Sequence, residues 1–329
     1  MPERPLEPAT VTALVKDATA APSMHNAQPW RFRFHSPTRT FEIRSDPSRA
    51  LPRTDPVGRG MHLGCAAALF NLRVAAAHAG WEPVHQLLPD TDDRQLLATV
   101  RLTGPAAPGG DLAPLYPAIH RRHTSREPFE ETDIPQAVQD ALHNAALQEG
   151  AQLVFPSAWH VASLLDLVHD AEGRESADPD TLTEVAHWTR IGAAAAQTAA
   201  DGIPDYAFGP RKWDGKAPVR DFAEGRQVTD RDAARFEQVP HLALLGTTHD
   251  EPEDWLRAGQ AMERVLLLAT LKGLATSLTS HALEWPDLRW SVRDPRSVMA
   301  YVQMVLRLGF GPHGLPTPRR PPGDVLDIV

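Results

Sequence analysis

The sequence predicts an α+β protein of two tandem lobes, with helices packed around mixed sheets. Three observations carry that reading. Stretches with apolar residues at helical spacing are interleaved with stretches of strict in-out alternation. The chain has 329 residues, longer than a single hydrophobic core usually grows. A faint internal repeat lays residues 66–80 over 259–273 without a gap: Leu69 then faces Met262, Leu72 faces Val265, Ala76 faces Ala269, and the closing glycines coincide.

In chain order, Val11, Leu14, Val15 and Ala18 have helical spacing, and Pro22 and Pro29 then bound a loop by interrupting any helix on either side. Residues 30–46 read as a hairpin. Phe32 and Phe34 alternate with Arg31, Arg33 and His35, and Phe41 and Ile43 repeat the pattern beyond Ser36-Pro37-Thr38. A Pro/Gly/Asp loop leads to a small-residue helix over 61–79, ended by Gly80, whose alanines imply close approach to neighbouring helices. A second strand over 95–102 closes the first lobe, residues 1–110. The linker-like TGPAAPGGDLAP marks the boundary with the second lobe, residues 111–329.

The second lobe starts as helix, extended segment and helix, with Asp133 and Pro135 opening the latter. Two further helical patterns cover 157–173 and 179–200. Residues 201–222, rich in Gly, Pro and aromatics, fit neither period and form either a lid or a solvent-exposed insertion. A buried strand (241–248), a helix (258–272) stopped by Gly273, a last strand (304–311) and a Pro-rich tail complete the chain.

Two polar stretches point to chemistry. Between Pro22 and Pro29, Ser23, Asn26 and Gln28 offer donors and acceptors that suit a flat heterocycle edge such as the pyrimidine end of a flavin. A helix-to-strand turn capped by Asn and Ser would use the same residues. Residues 120–126 form the densest basic cluster. The guanidiniums of Arg121, Arg122 and Arg126, with hydroxyls from Thr124 and Ser125, could cradle a phosphate, or could be a basic helix end complementing the helix dipole.

The first stretch, APSMHNAQPWRF, resembles the Pro-Ser-x-x-Asn-x-Gln-Pro-Trp loop of nitroreductase-like FMN flavoproteins. It matches at Pro22, Ser23, Asn26, Gln28, Pro29 and Trp30, with Met24 and His25 inside the motif. The resemblance implies that this loop contacts the isoalloxazine ring from the subunit opposite the one holding the phosphate. RRHTSREPF, followed by Ile134-Pro135, is similar to the family's phosphate motif, with one extra residue, Pro128, before Phe129. Arg122, His123, Thr124 and Arg126 would then touch the ribityl phosphate, with Arg121 beside them, and Arg319 or Arg320 in the tail PTPRRP would complete the clamp. Gly273 and Leu274 to Ser277 correspond to a family segment passing near the ring.

The ring loop lies in the first lobe and both phosphate elements lie in the second. FPSAWHVAS stands where a second ring loop would be. Over roughly residues 10–327 the chain therefore resembles the Acg-type fused branch of this superfamily: a nitroreductase-like fold, paired within one chain as a pseudo-dimer, with one surviving site. The resemblance implies one FMN per chain, NAD(P)H as electron donor, a small organic acceptor reached by ping-pong hydride transfer, and a lid at 201–222. No side chain need act as general acid. The fused unit is expected to be a monomer or weak homodimer. Two other readings stay open: a lid-covered flavin that is stored or shielded without turnover, motivated by Tyr206, Phe208 and Trp213, and a biosynthetic flavin oxidase or dehydrogenase.

Other classes are set aside. Hydrophobic content of 42% and charged content of 23% describe an ordinary globular chain. The net charge of −9, with no Lys/Arg block, argues against a nucleic-acid surface. Cys65, the only cysteine, reads as a packing residue. The N-terminus shows no signal-peptide pattern, and no apolar run approaches the ~20 residues of a membrane span, so a cytoplasmic protein without membrane contact is expected. Residues 309–314 match a dinucleotide fingerprint in letters but precede a Pro-rich tail instead of a helix. His281 and Glu284, one turn apart, read as surface or capping residues, and no metal site is expected.

Overall fold

The computed structural model describes residues 6–106, 109–229 and 231–329. Helix α1 (Pro8–Ala18) buries Val11, Leu14, Val15 and Ala18, the stripe read from the sequence. Strands β1 (Trp30–His35) and β2 (Thr40–Ser45) make the expected hairpin, pairing Phe32 with Ile43 and Phe34 with Phe41 on the buried face. Helix α2 (Arg59–His78) is followed by β3 (Trp81–Leu87) and β4 (Leu96–Pro105). β3 was missed in the sequence. It is an edge strand whose only fully buried residue is Pro83, so it shows no apolar alternation.

A 3-10 turn (Ala113–Ala118) stands where a helix was expected, shortened by Pro114 and Pro117. Then come α3 (Gln136–Gln148), β5 (Gln152–Val154), α4 (Ala158–Ala177), α5 (Pro179–His187), β6 (Thr189–Arg190), α6 (Ala193–Thr198), β7 (Ile203–Pro204), β8 (Arg211–Asp214) and β9 (Ala233–Arg235). The single helix expected over 179–200 is broken after His187, where Gly192 adopts a positive φ of 92° and Thr189 pairs with Ile203. β10 (His241–Thr247), α7 (Pro252–Leu271), β11 (Ala275–Thr279), α8 (Pro286–Val292), β12 (Tyr301–Gly309) and β13 (Leu326–Ile328) complete the chain.

The two larger sheets are ordered β13-β1-β2-β4-β3 and β11-β12-β10-β5, and β6-β7 and β8-β9 form two-stranded pairs. Apart from β13, which runs parallel to β1, all pairings in the two larger sheets are antiparallel. The connectivity is duplicated. Strand, strand, helix, strand, strand in the first lobe (β1, β2, α2, β3, β4) recurs as β5, β10, α7, β11, β12, with the same spatial order. β13 crosses back into the first sheet, so the end of the stretch assigned to the second lobe (111–329) is built into the first.

Helices α2 and α7 meet backbone to backbone. A Cβ on Gly259 would lie 2.5 Å from the Leu63 carbonyl oxygen and 2.6 Å from the Ala66 Cβ. Ala66 and Gly259 are the pair that the internal repeat superposes. Equivalent positions touching each other is what a local two-fold produces. One core runs from Val11 and Phe34 through both helices to Leu245 and Leu308. α2, with 20 residues and mean hydropathy 1.2, has the length and composition of a membrane span, contrary to the expectation that no run does. Its apolar window is 83% buried, which marks a core helix.

Candidate functional site

The loop between α1 and β1 holds three consecutive-but-one strained positions: His25, Asn26 and Gln28 have φ of 50°, 54° and 52°. Such left-handed geometry costs a non-glycine residue of order 1–3 kcal/mol and persists only where the surroundings over-determine it. Here they do. The Ser23 hydroxyl accepts from the Gln28 amide (2.9 Å), while Gln28 Nε2 donates to Ala200 O (2.8 Å) and its Oε1 accepts from Arg320 N (2.8 Å). Asn26 Nδ2 donates to Gly202 O (2.8 Å) and Pro318 O (3.0 Å), and its Oδ1 accepts from Arg319 Nη1 (3.0 Å). The loop is thus tied to the start of the 201–222 segment and to the C-terminal tail.

One cavity gathers most of the residues singled out in the sequence: Pro22, Ser23, Met24, His25 and Asn26 from the loop, Arg122, His123, Thr124 and Arg126 from the basic cluster, and Arg319 from the tail. Five others do not line it. Gln28 is fully buried and spent on Ala200 and Arg320, so it holds the loop instead of meeting a ligand. Arg121 is exposed. Arg320 turns to Gln28 O (3.3 Å) and Asp324 O (3.1 Å). Gly273 is exposed and Leu274 is core; the wall is made by Ser277 and Leu278, further along β11.

The sequence reading missed a second group. Arg59, Gly60, Leu63 and Gly64 at the start of α2 form one wall with Met262 of α7, and Ser280, His281, Met304 and Thr317 complete it. The Gly60/Gly64 spacing was the available signal. A Cβ on Gly64 would sit 3.1 Å from Ser23 Cβ, so that helix face admits the loop only without side chains. Ile203, Val219, Arg220 and Phe222 cover the cavity, which favours the lid over the solvent-exposed insertion for residues 201–222. The lid's visible aromatics are misplaced for covering: Tyr206 and Trp213 are 49% and 66% exposed, and Phe208 packs behind Phe222 in a satellite cluster. His281 and Glu284 are not surface residues either. His281 is buried on the cavity wall, and Glu284 accepts from Arg220 (2.6 Å) and Ser280 (2.7 Å). No group of three or more His, Cys, Asp or Glu could hold a metal among the described residues.

The electrostatics are one-sided. Five arginines and no carboxylate line the cavity. Arg220 is paired with Glu175 (2.9 Å) and Glu284 (2.6 Å), and Arg122 lies 3.5 Å from Glu263. Among the described residues Arg59, Arg126 and Arg319 have no carboxylate within ion-pair distance; their guanidiniums reach backbone carbonyls of Leu283 (3.4 Å) and Gln303, Ala207 (2.9 Å), and Ala20 (3.1 Å), respectively. Burial pulls Arg59 and Arg126 down to about 10 and Arg319 to about 9. Burial, then Arg122 and Arg319, lower His123 to about 4. Burial and the charge of Arg220 hold His25 and His281 well below the usual imidazole range. His25 Nε2, both ring nitrogens of His281, Arg122 Nε and Arg319 Nε have no hydrogen-bond partner. Buried cations and open donors of this kind favour an anionic ligand.

A family model described as "Nitroreductase family" matches residues 119–288. A Mycobacterium tuberculosis protein named "Putative NAD(P)H nitroreductase" is 33% identical over 324 residues, covering 97% of this chain and 91% of the relative. Another from the same organism, "Putative NAD(P)H nitroreductase acg", is 29% identical over 336 residues, covering 100% and 98%. Among solved structures, that of "a putative nitroreductase" from Anabaena variabilis aligns with a TM-score of 0.40 at 11% identity, over 83% of this chain and 69% of that one.

Proposed function

Because this chain belongs to the nitroreductase family and is an oxidoreductase of that type, we propose that its cavity holds one FMN and passes electrons from NAD(P)H to a small organic acceptor. The observation that carries the flavin is a cavity lined by five arginines and no carboxylate, facing the Ser23–Asn26 stretch. Arg122 and Arg319, which share the Ala20 carbonyl as acceptor, would hold the phosphate with the hydroxyls of Thr124 and Thr317. The loop and the glycine face of α2 would flank the ring.

Bound FMN would supply the hydride acceptance and donation. The chain's own part is to orient and to exclude water. Leu63, Met262, Leu278 and Met304 give apolar walls, and Phe222 closes the lid side. Arg220 pins that lid to α4 through Glu175 and to the turn after β11 through Glu284. The duplicated topology supports a fused pair that forms its site within one chain and needs no partner subunit.

That pinned lid also favours a second reading, in which the flavin is shielded without turnover. Anaerobic mixing of the purified protein with NADH or NADPH separates the two. Loss of oxidised-flavin absorbance within seconds is the outcome expected of an oxidoreductase, and a spectrum unchanged at high nicotinamide is that of a shield.

A further inference from the structure

Glu263 is a buried carboxyl that neither the fold nor the proposed function uses. It lies on α7 next to Met262 of the cavity wall, is 0% exposed, and neither of its oxygens has a hydrogen-bond partner. The cation beside it is Arg122. Arg122 Nε, also unpartnered, is 3.5 Å from Glu263 Oε1, while Nη2 reaches Ala20 O (3.1 Å) next to Arg319. Asn71 of α2 faces Glu263 from the other helix, its amide buried without a partner, and Arg319 acts on it from further away. The other charges around α7 are engaged elsewhere: Arg73 with Glu149, Arg264 with Glu149 and Asp111, Arg307 with Glu237, and Arg220 with Glu175 and Glu284. Arg59 and Arg126 are turned to the carbonyls of Gln303 and Ala207. Phe70 stands at the position that the internal repeat superposes on Glu263, so the helix crossing itself does not demand a carboxyl.

Arg122 is therefore shared. Without an anion it offsets the Glu263 carboxylate. A phosphate on Arg122 and Arg319 would claim the same guanidinium and add negative charge near a buried carboxylate with no other ion partner. Protonation of Glu263 removes the conflict. Asn71 suits both states, because its amide offers a donor to a carboxylate and an acceptor to a carboxylic acid. Burial already lifts the Glu263 carboxyl to about 7, against the pull of Arg122, Asn71 and Arg319, and a neighbouring anion raises a carboxyl further.

We propose that Glu263 is a positioning residue that takes a proton from solvent when a phosphate settles on Arg122 and Arg319, and returns it when the phosphate leaves. The occupied state then binds more protons than the empty one, so FMN is held less tightly as pH rises above neutrality. The flavin reading supplies the identity of the phosphate; the coupling itself follows from the shared arginine. His123, held down to about 4 by burial and by Arg122 and Arg319, is the other titratable group beside these arginines and the rival site for the proton.

Calorimetric titration of the flavin-free protein with FMN, in two buffers of different ionisation enthalpy, counts the protons. At about pH 7.5 the free phosphomonoester is already close to a dianion, so the ligand itself contributes little. Uptake of about half a proton or more per FMN is expected, with Kd weakening about three- to fivefold from pH 7 to pH 8. Glu263→Gln should bind FMN without either effect, and His123→Gln should keep both. Should the Gln variant fail to fold, the parent's count and that of His123→Gln decide. Proton-free binding by the parent, or uptake that persists in Glu263→Gln or vanishes in His123→Gln, would overturn the role of Glu263 and leave the flavin reading standing. No binding of FMN would overturn the flavin reading. Phenyl phosphate, a phosphomonoester without a flavin, separates that failure: proton uptake on its binding would still support the coupling, and none would overturn both.

Discussion

The two halves share one connectivity and strand order, yet only the first has a long loop before its first strand. Residues 19–29 join α1 to β1, whereas residues 149–151 alone join α3 to β5. A three-residue turn can reverse the chain but cannot project side chains into a cleft. The hairpin positions differ in the opposite sense. Residues 36–39 connect β1 to β2, while residues 155–240, with α4, α5, α6 and the lid, are inserted between β5 and β10. One half thus provides the long loop on the cavity and the other provides the cover and four of the five cavity arginines. At the local two-fold the helices diverge too. Phe70 of α2 is equivalent to Glu263 of α7, and both are fully buried. Phe70 lies under the guanidiniums of Arg73 and Arg264, while Glu263 faces Arg122 of the cavity. The two halves match where the helices pack together and differ in the segments around the cavity.

Substitutions test the difference between the two halves. The largest effect is expected from Gly259→Val, which drives side-chain atoms into Leu63 and Ala66 at the helix crossing. It should cost about 3 kcal/mol in denaturant unfolding and separate the lobes' transitions. A single transition at unchanged midpoint would show that the two-fold contact is slack. Arg319→Ala removes charge-assisted bonds worth ~1.5–3 kcal/mol each and should weaken FMN at least tenfold in equilibrium dialysis. Full occupancy would leave the tail outside the site.

Glu263→Gln tests the asymmetry at the axis. Burial raises Glu263 to about 7, against the partial compensation of Arg122. A carboxyl whose folded pKa lies above its unfolded value stabilises the fold below ~4.5 and loses that contribution as pH rises through about 7. Melting temperature of the parent should therefore carry a downward component over this window that the Gln variant lacks. Identical pH profiles would contradict the buried charge. The smallest effect is expected at Trp159, 70% exposed on α4; it belongs to FPSAWHVAS, which the sequence set in place of a second ring loop, whereas in the fold the equivalent of residues 19–29 is the turn 149–151 before β5. Trp159→Ala should leave flavin content unchanged and stability within ~0.5 kcal/mol, and a loss of flavin would reveal a working second site.

The parts that were legible in the sequence are those with strong local periodicity or a tight motif. Phe32/Phe34 against Phe41/Ile43 gave the hairpin, the alanines of α2 gave a close helix contact, and Pro22 to Asn26 and Arg122 to Arg126 gave two walls of one cavity. Short or edge strands such as β5 and β3 bury too few residues to alternate visibly. Gln28 matched its motif in sequence but is turned to the tail, because the direction of a side chain depends on what the rest of the fold offers it. Arg59 and His281 were illegible for the same reason: they reach the cavity only through tertiary closure, from a helix start and a turn with no shared pattern, whereas Phe222 lies within the stretch 201–222 read as a candidate lid.

Two unequal halves of one chain are proposed to build a single flavin site. Denaturing a weighed sample of the purified protein and measuring the FMN released per chain tests it directly. One FMN per chain is the expected result. Two per chain would mean that the second lobe retains a site, and none after reconstitution with excess FMN would mean that the arginine-lined cavity serves a different ligand.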